Sequence, residues 1–186
     1  SYTDKVFDFK WNFDFSAARN YSFSKASCDL VMWLDADDVI LPEDIEKINK
    51  LKQTKDPADI YMFQYVLTHE HDMTPIFKYA RERVFLASKN FKWVDAIQEV
   101  IVPSGRVEYV DINIYHEKVK PTPAGRNLKI YRKMIKNKVI FSPRQQFYYA
   151  RELMFNAFYK SAICQLKKFL KRPDGWVENK VQACID

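Results

Sequence analysis

Glycine is almost absent from this chain: Gly105, Gly125 and Gly175 are the only three in 186 residues. A loop that cradles phosphate through its backbone needs several glycines close together, so Walker-type and dinucleotide-fingerprint enzymes are excluded. Cysteine is scarce as well. Cys28, Cys164 and Cys184 form neither a disulfide framework nor a CxxC pair, which fits a reducing compartment. Long apolar runs are missing too: the longest in the first half is Leu30 to Leu34, far short of the roughly 20 residues that a membrane span requires. Residues 1–10 carry charges where a signal peptide needs an apolar segment. The expectation is therefore a cytoplasmic protein, attached at most peripherally to the inner face of the membrane.

What is present is ordinary for a folded domain: 47% hydrophobic and 29% charged residues, with an aromatic share of 16%. The net charge of +6 is unevenly spread. Residues 1–60 hold 8 Lys and Arg against 12 Asp and Glu, and residues 121–186 hold 14 against 4. Lysines and arginines on the outer sides of helices account for that excess more simply than a nucleic-acid partner does, and no such partner is expected.

The order of elements points to an α/β domain. Val6–Phe9 alternates like a strand, Asn12 or Asp14 can cap a helix to about Ser27, and Leu30–Leu34 reads as a buried strand. A second helix opens at Leu41-Pro42-Glu43-Asp44, with Ile45, Ile48 and Leu51 as its apolar stripe, and Ile60–Leu67 is a further strand. Short strands at Arg83–Leu86, Val100–Val102, Val107–Val110 and Ile112–Tyr115 suggest a mixed sheet up to His116. From Thr122-Pro123 the chain reads as helical, one helix running to about Asn137 and another opening at Ser142-Pro143. The expected domains are 1–121 and 122–186.

Leu34-Asp35-Ala36-Asp37-Asp38-Val39 is the segment richest in chemistry. Carboxylates crowded at the end of an apolar strand repel one another, and a hard, oxygen-ligated cation offsets that cost. An EF-hand loop starting at Asp35 fails because its sixth position is Ile40, where glycine is required. A haloacid-dehalogenase-like phosphatase also opens with a strand and DxDxV, but needs a glycine-bearing acidic motif downstream that this chain lacks. It stays a minor alternative. His69 and His71 read as loop residues, since no third ligand of suitable spacing adjoins them.

Phe15-Ser16-Ala17-Ala18-Arg19-Asn20, then Ala26-Ser27-Cys28-Asp29-Leu30, then Trp33-Leu34-Asp35-Ala36-Asp37-Asp38 resembles the ARN helix and DXD segment of family 2 glycosyltransferases, in the family's order and spacing. Trp93-Val94-Asp95-Ala96-Ile97-Gln98-Glu99 is similar to the family's W-x-G-x-V-H-E segment, with Gln98 in place of the usual His. Tyr115-His116 resembles the late strand that supplies a metal-binding histidine. The resemblance spans roughly residues 1–120. It implies an α/β fold, a partial GT-A sheet with helices followed by a C-terminal α-helical hairpin segment, and an inverting, metal-dependent transfer from a nucleotide-diphosphate sugar.

In the roles this resemblance implies, Asp37 and His116 bind Mn2+ or Mg2+, Asp35 lies against the ribose or the metal, and Arg19 supports the nucleotide end. Glu99 is the general base, with Asp95 as the alternative. The donor would be a nucleotide sugar, a UDP-sugar first among them, and the acceptor an unidentified glycan, lipid or protein. Family members usually begin with a further strand-helix-strand unit holding much of the base pocket, and the expectation is that this chain starts after it. Phe147 to Leu153, Tyr159 to Ile163 and Leu166 to Leu170, with Pro173 and Trp176, resemble a tetratricopeptide helix pair. Some bacterial members of the family carry such repeats after the catalytic domain, and pairing with a second copy is one way to bury the repeat's face. The alternative function is a non-catalytic interaction module with a vestigial transferase domain.

Overall fold

The computed structural model describes residues 5–118 and 123–186. The chain divides into two compact units. One comprises Arg19–Trp93 and Ile101–Pro121, the other Ser1–Ala18, Val94–Val100 and Thr122–Asp186. The elements in chain order are α1 (Phe15–Phe23), β1 (Leu30–Met32), β2 (Asp38–Val39), α2 (Pro42–Leu51), β3 (Ile60–His69), β4 (Pro75–Leu86), β5 (Trp93–Val94), β6 (Val100–Ile101), β7 (Val107–His116), α3 (Arg126–Lys136), α4 (Pro143–Phe155), α5 (Tyr159–Leu170) and α6 (Val177–Ile185).

The first unit is a five-stranded sheet in the order β1-β4-β3-β7-β2. Only the β3–β7 pair is parallel; β1–β4, β3–β4 and β2–β7 are antiparallel. Alternate residues of β3 feed separate clusters, as the two-residue period of a strand requires. Tyr61, Phe63 and Tyr65 join Ile48, Val84, Ile112 and Ile114, whereas Ile60 and Met62 join Trp33, Phe85, Trp93 and Ile101.

Several expectations are corrected here. Val6–Phe9 forms no strand: its side chains are mostly exposed, and it pairs with no strand among the described residues. Helix α1 stops at Phe23, short of Ser27, and is capped by Asp14, whose Oδ1 accepts from the Ala17 N–H at 2.9 Å and the Ser16 hydroxyl at 2.8 Å. In α2, Ile45 is 46% exposed while Asp44 is 1% exposed. The inward Asp44 is neutralised by Lys47 Nζ at 2.8 Å, which also donates to the Asp111 carbonyl at 2.7 Å. Strand β4 begins at Pro75, well before Arg83, and β7 runs unbroken from Val107 to His116.

The second unit is built mainly from α3 to α6. Thr122 lies outside the described residues, and α3 starts at Arg126, behind Gly125 in the left-handed conformation at φ 68°. Ser142 caps α4 as expected: its Oγ accepts from the Gln145 N–H at 3.1 Å and Gln145 Oε1 accepts from the Ser142 N–H at 2.9 Å. Phe147, Ala150, Leu166, Phe169 and Ala183 form one cluster, and Ile97, Ile130, Tyr131 and Met134 another. Among the described residues no helix is long and apolar enough to cross a membrane.

Candidate metal and donor site

The acidic segment sits where β1 leaves the sheet. It turns back at once: the Asp38 N–H donates to the Asp35 carbonyl at 3.0 Å, and β2 then pairs Asp38 with His116 on β7. That pairing carries His116 to the acids from 78 residues further along the chain, and the Glu117 N–H donates to the Asp37 carbonyl at 2.8 Å to hold the register.

The three carboxylates have different surroundings. Asp38 is the fixed one, with a fully buried side chain. Its Oδ2 accepts from Arg83 Nη1 at 2.7 Å and from the Asp35 N–H at 3.0 Å, and its Oδ1 accepts from the Tyr65 hydroxyl at 3.1 Å. Arg83 is also fully buried, and its guanidinium lies 3.8 Å from the Trp33 ring centroid and 4.4 Å from that of Tyr65. Nε and Nη2 have no hydrogen-bond acceptor among the described residues, and the two rings stand in as the guanidinium's neighbours. Burial, with the Asp38 charge beside it, pushes the Tyr65 hydroxyl well above the usual phenol range, so it remains a donor at any physiological pH.

Asp35 is held instead by Arg19, at 3.0 Å to Oδ1 and 3.2 Å to Oδ2. The Arg19 guanidinium stacks over Trp33 at 4.4 Å and Trp93 at 4.9 Å. Its neighbour Asn20 clamps the Trp93 backbone, with Nδ2 donating to the carbonyl and Oδ1 accepting from the N–H, both at 2.9 Å. The Arg-Asn pair thus anchors the acidic turn and the start of the Trp93 segment together.

Asp37, Asp38 and His116 each offer a ligand atom, and these atoms lie within 4.8 Å of one another. His116 Nδ1 is 3.7 Å from both Asp37 and Asp38 and is buried, with no hydrogen-bond partner among the described residues. A buried imidazole nitrogen facing two carboxylate oxygens, without a proton acceptor of its own, matches the donor set of a divalent cation. Of the expected ligands, the fold brings Asp37 and His116 together and adds Asp38; Asp35 stands next to them in an ion pair with Arg19.

Glu99 belongs to the second unit, and so does Asp95. Asp95 is fully engaged: Oδ1 accepts from Gln145 Nε2 at 2.6 Å and Oδ2 from Arg144 Nη1 at 3.3 Å. Arg144 also donates to the Gln98 carbonyl at 2.5 Å. Both Asp95 and Gln98 have positive φ, 71° and 55°, so the N-terminal turn of α4 braces a tightly wound segment. His69 is placed by the fold at the end of β3, not in a loop, bonded through Nε2 to Glu117 Oε1 at 2.6 Å.

Sequence reasoning missed Arg83 and Tyr65. Arg83 follows Arg81 and Glu82 in β4, and Tyr65 adjoins Gln64 in β3, so nothing in the sequence marks either as the polar residue that is buried. The sequence profile described as Glycosyl transferase family 2 matches residues 5–99, just over half of the chain. No curated protein matches the chain.

Proposed function

The chain belongs to glycosyltransferase family 2, and from that premise we propose that it is a metal-dependent, inverting glycosyltransferase using a nucleotide-diphosphate sugar, with a UDP-sugar as the first donor to try. The observation that supports the metal dependence is the buried Nδ1 of His116, which faces Asp37 and Asp38 and has no hydrogen-bond partner among the described residues. Mn2+ or Mg2+ bound there would act as a Lewis acid toward the departing diphosphate. Asp37 and His116 are its ligands in this reading, with Asp38 Oδ1 oriented toward them by Arg83 and Tyr65. Asp35 faces the ribose or the metal, and Arg19 holds it in place.

Glu99 is the general base. It takes the acceptor hydroxyl's proton as the hydroxyl oxygen bonds to the anomeric carbon, and the bond from that carbon to the diphosphate breaks with its electron pair leaving on phosphate oxygen. Asp95, tied to Arg144 and Gln145, serves better as a brace than as a base. In the same reading residues 1–121 are the C-terminal portion of a GT-A catalytic domain and 122–186 a tetratricopeptide-like extension.

The test is release of nucleoside diphosphate from a panel of UDP-sugars with manganese present. Release that EDTA abolishes, and that Asp37→Asn and His116→Ala lose, supports the assignment. If no donor yields metal-dependent release and the protein binds no manganese, the non-catalytic module becomes the better reading.

A further inference from the structure

The β3–β4 hairpin extends past the acidic turn. Met32, the last residue of β1, pairs with Val84 in an antiparallel register, so the stretch of β4 from Glu82 back to Pro75 continues beyond the carboxyl end of β1. Ligands of open α/β sheets collect in that region. There β4 is paired with β3 on one side and, among the described residues, with no strand on the other.

This stretch carries a row of rings leading to the site. Phe77 and Tyr79 are alternate residues of β4, 55% and 38% exposed. Ring centroids are 6.3 Å apart from Phe77 to Tyr79, 5.9 Å from Tyr79 to Tyr65 and 5.6 Å from Tyr65 to His116. The row therefore begins at the candidate metal ligand, half-buried, and ends in two rings open to solvent. Its exposed end, Phe77 and Tyr79, carries no charge of its own, although Arg81 follows on the same face of β4 and Tyr65 lies against Arg83 and Asp38. The residue paired with Phe77 is Thr68; Lys78 reaches Asn113 at 3.5 Å, and the Arg81 guanidinium lies over Trp33 at 5.2 Å.

We propose that the exposed faces of Phe77 and Tyr79 form the acceptor subsite, and that the acceptor is a neutral carbohydrate. The inference rests on the transferase reading above and deepens it. A sugar ring presents a flat C–H face with hydroxyls around its rim, and two adjacent rings with a phenol and the Thr68 hydroxyl nearby match both parts. The charges of a nucleoside diphosphate are met at the His116 end of the row, away from Phe77 and Tyr79, and an acyl chain would require an enclosed groove, whereas both rings are open. Continuity with His116 is what sets this pair apart from a stray exposed aromatic.

Saturation-transfer NMR on the intact chain tests it with cellotetraose, maltotetraose and N-acetylchitotetraose as probes, alongside manganese titration of the same samples. At least one oligosaccharide should receive saturation. Phe77→Ala and Tyr79→Ala should each weaken its binding by about tenfold, Phe77→Tyr should retain it, and manganese affinity should stay unchanged in all three. Manganese binding with no saturation of any oligosaccharide overturns this inference and leaves the transferase reading standing. Failure of the wild type to bind manganese strikes that reading itself. Alanine variants that bind the oligosaccharide like wild type, or displacement of it by UDP alone, also overturn the acceptor assignment.

Discussion

Two segments carry the chemistry in the proposed reading, and they are held in opposite ways. Residues 35–38 are fixed by a buried charge: Asp38 and Arg83 face each other with both side chains fully withdrawn from water. Residues 95–99 are fixed by the open end of a helix, where Arg144 and Gln145 hold an Asp95 side chain that is still 16% exposed. A buried ion pair gives one orientation and is very costly to break; a network at a helix start tolerates loss more gradually. The first arrangement suits a carboxylate that must stay aimed at a cation, the second a segment that only needs its backbone kept in a tight turn.

The sharpest way to break the comparison is at Arg83. Arg83→Met keeps the volume against Trp33 and Tyr65 but leaves Asp38 buried without its charge partner, at an expected cost of about 3–5 kcal/mol in urea unfolding. Adding Asp38→Leu should recover most of that loss. A small effect of the single change would show that water reaches Asp38. Next in size is Asp37→Asn, since the Asp37 side chain is 35% exposed. Stability should stay within about 0.5 kcal/mol of wild type, while manganese affinity falls on the order of 100-fold as a ligand charge is lost. Asp35→Asn should lose less than about tenfold, because Asp35 answers to Arg19; equal losses would move Asp35 into the ligand set.

These two predictions mark where the sequence was readable. The acidic turn was legible because strand, Asp35, Asp37 and Asp38 are consecutive, and α4 because Ser142, Pro143 and Gln145 form a local cap. Arg83 was not, since its partner lies 45 residues earlier and only the pairing of β1 with β4 brings them together. The apolar stripe of α2 was misread at one position for a similar reason: Lys47 and Asn113 make an inward Asp44 cheaper than its charge suggests. Ile163, in the stretch that resembles a repeat helix, is 51% exposed, while Ala162 and Leu166 of the same helix turn inward. Strand β4 escaped notice over its first half because its side chains are exposed there, so no alternation of apolar and polar residues marks it.

On the other side of the comparison, Asp95→Asn and Glu99→Gln should separate brace from base. Asp95→Asn removes the charge facing Arg144 while keeping a side chain that tolerates the positive φ at this position; about 1.5–2 kcal/mol of stability should go. Glu99→Gln should cut sugar transfer by about 100-fold or more. Near-normal transfer by Glu99→Gln together with collapse in Asp95→Asn would make Asp95 the base. Smaller still, Ser142→Ala removes the side-chain half of the cap on α4 at about 1 kcal/mol in thermal unfolding. No loss there would mean that the helix start is held by the Asp95 contacts alone.

The smallest effect is set by pH. His69 faces two acceptors, the Glu70 carbonyl at 2.7 Å from Nδ1 and Glu117 Oε1 at 2.6 Å from Nε2. A neutral imidazole has one N–H and can satisfy only one of them; the imidazolium satisfies both. The Glu70 carbonyl first, and the Glu117 carboxylate second, therefore raise the His69 pKa above its ordinary value. Because the folded value is the higher one, the stabilisation is complete below about pH 6.5, where the unfolded chain is also protonated, and is lost as pH rises through the raised folded value. His69→Gln should abolish this dependence while leaving Asp37, Asp38 and His116 in place. Between about pH 6 and pH 8.5 the melting temperature of the wild type should fall further than that of His69→Gln. Parallel curves for the two proteins would show that the histidine is neutral throughout and that the Glu117 contact adds nothing to the closing of β3 against β7.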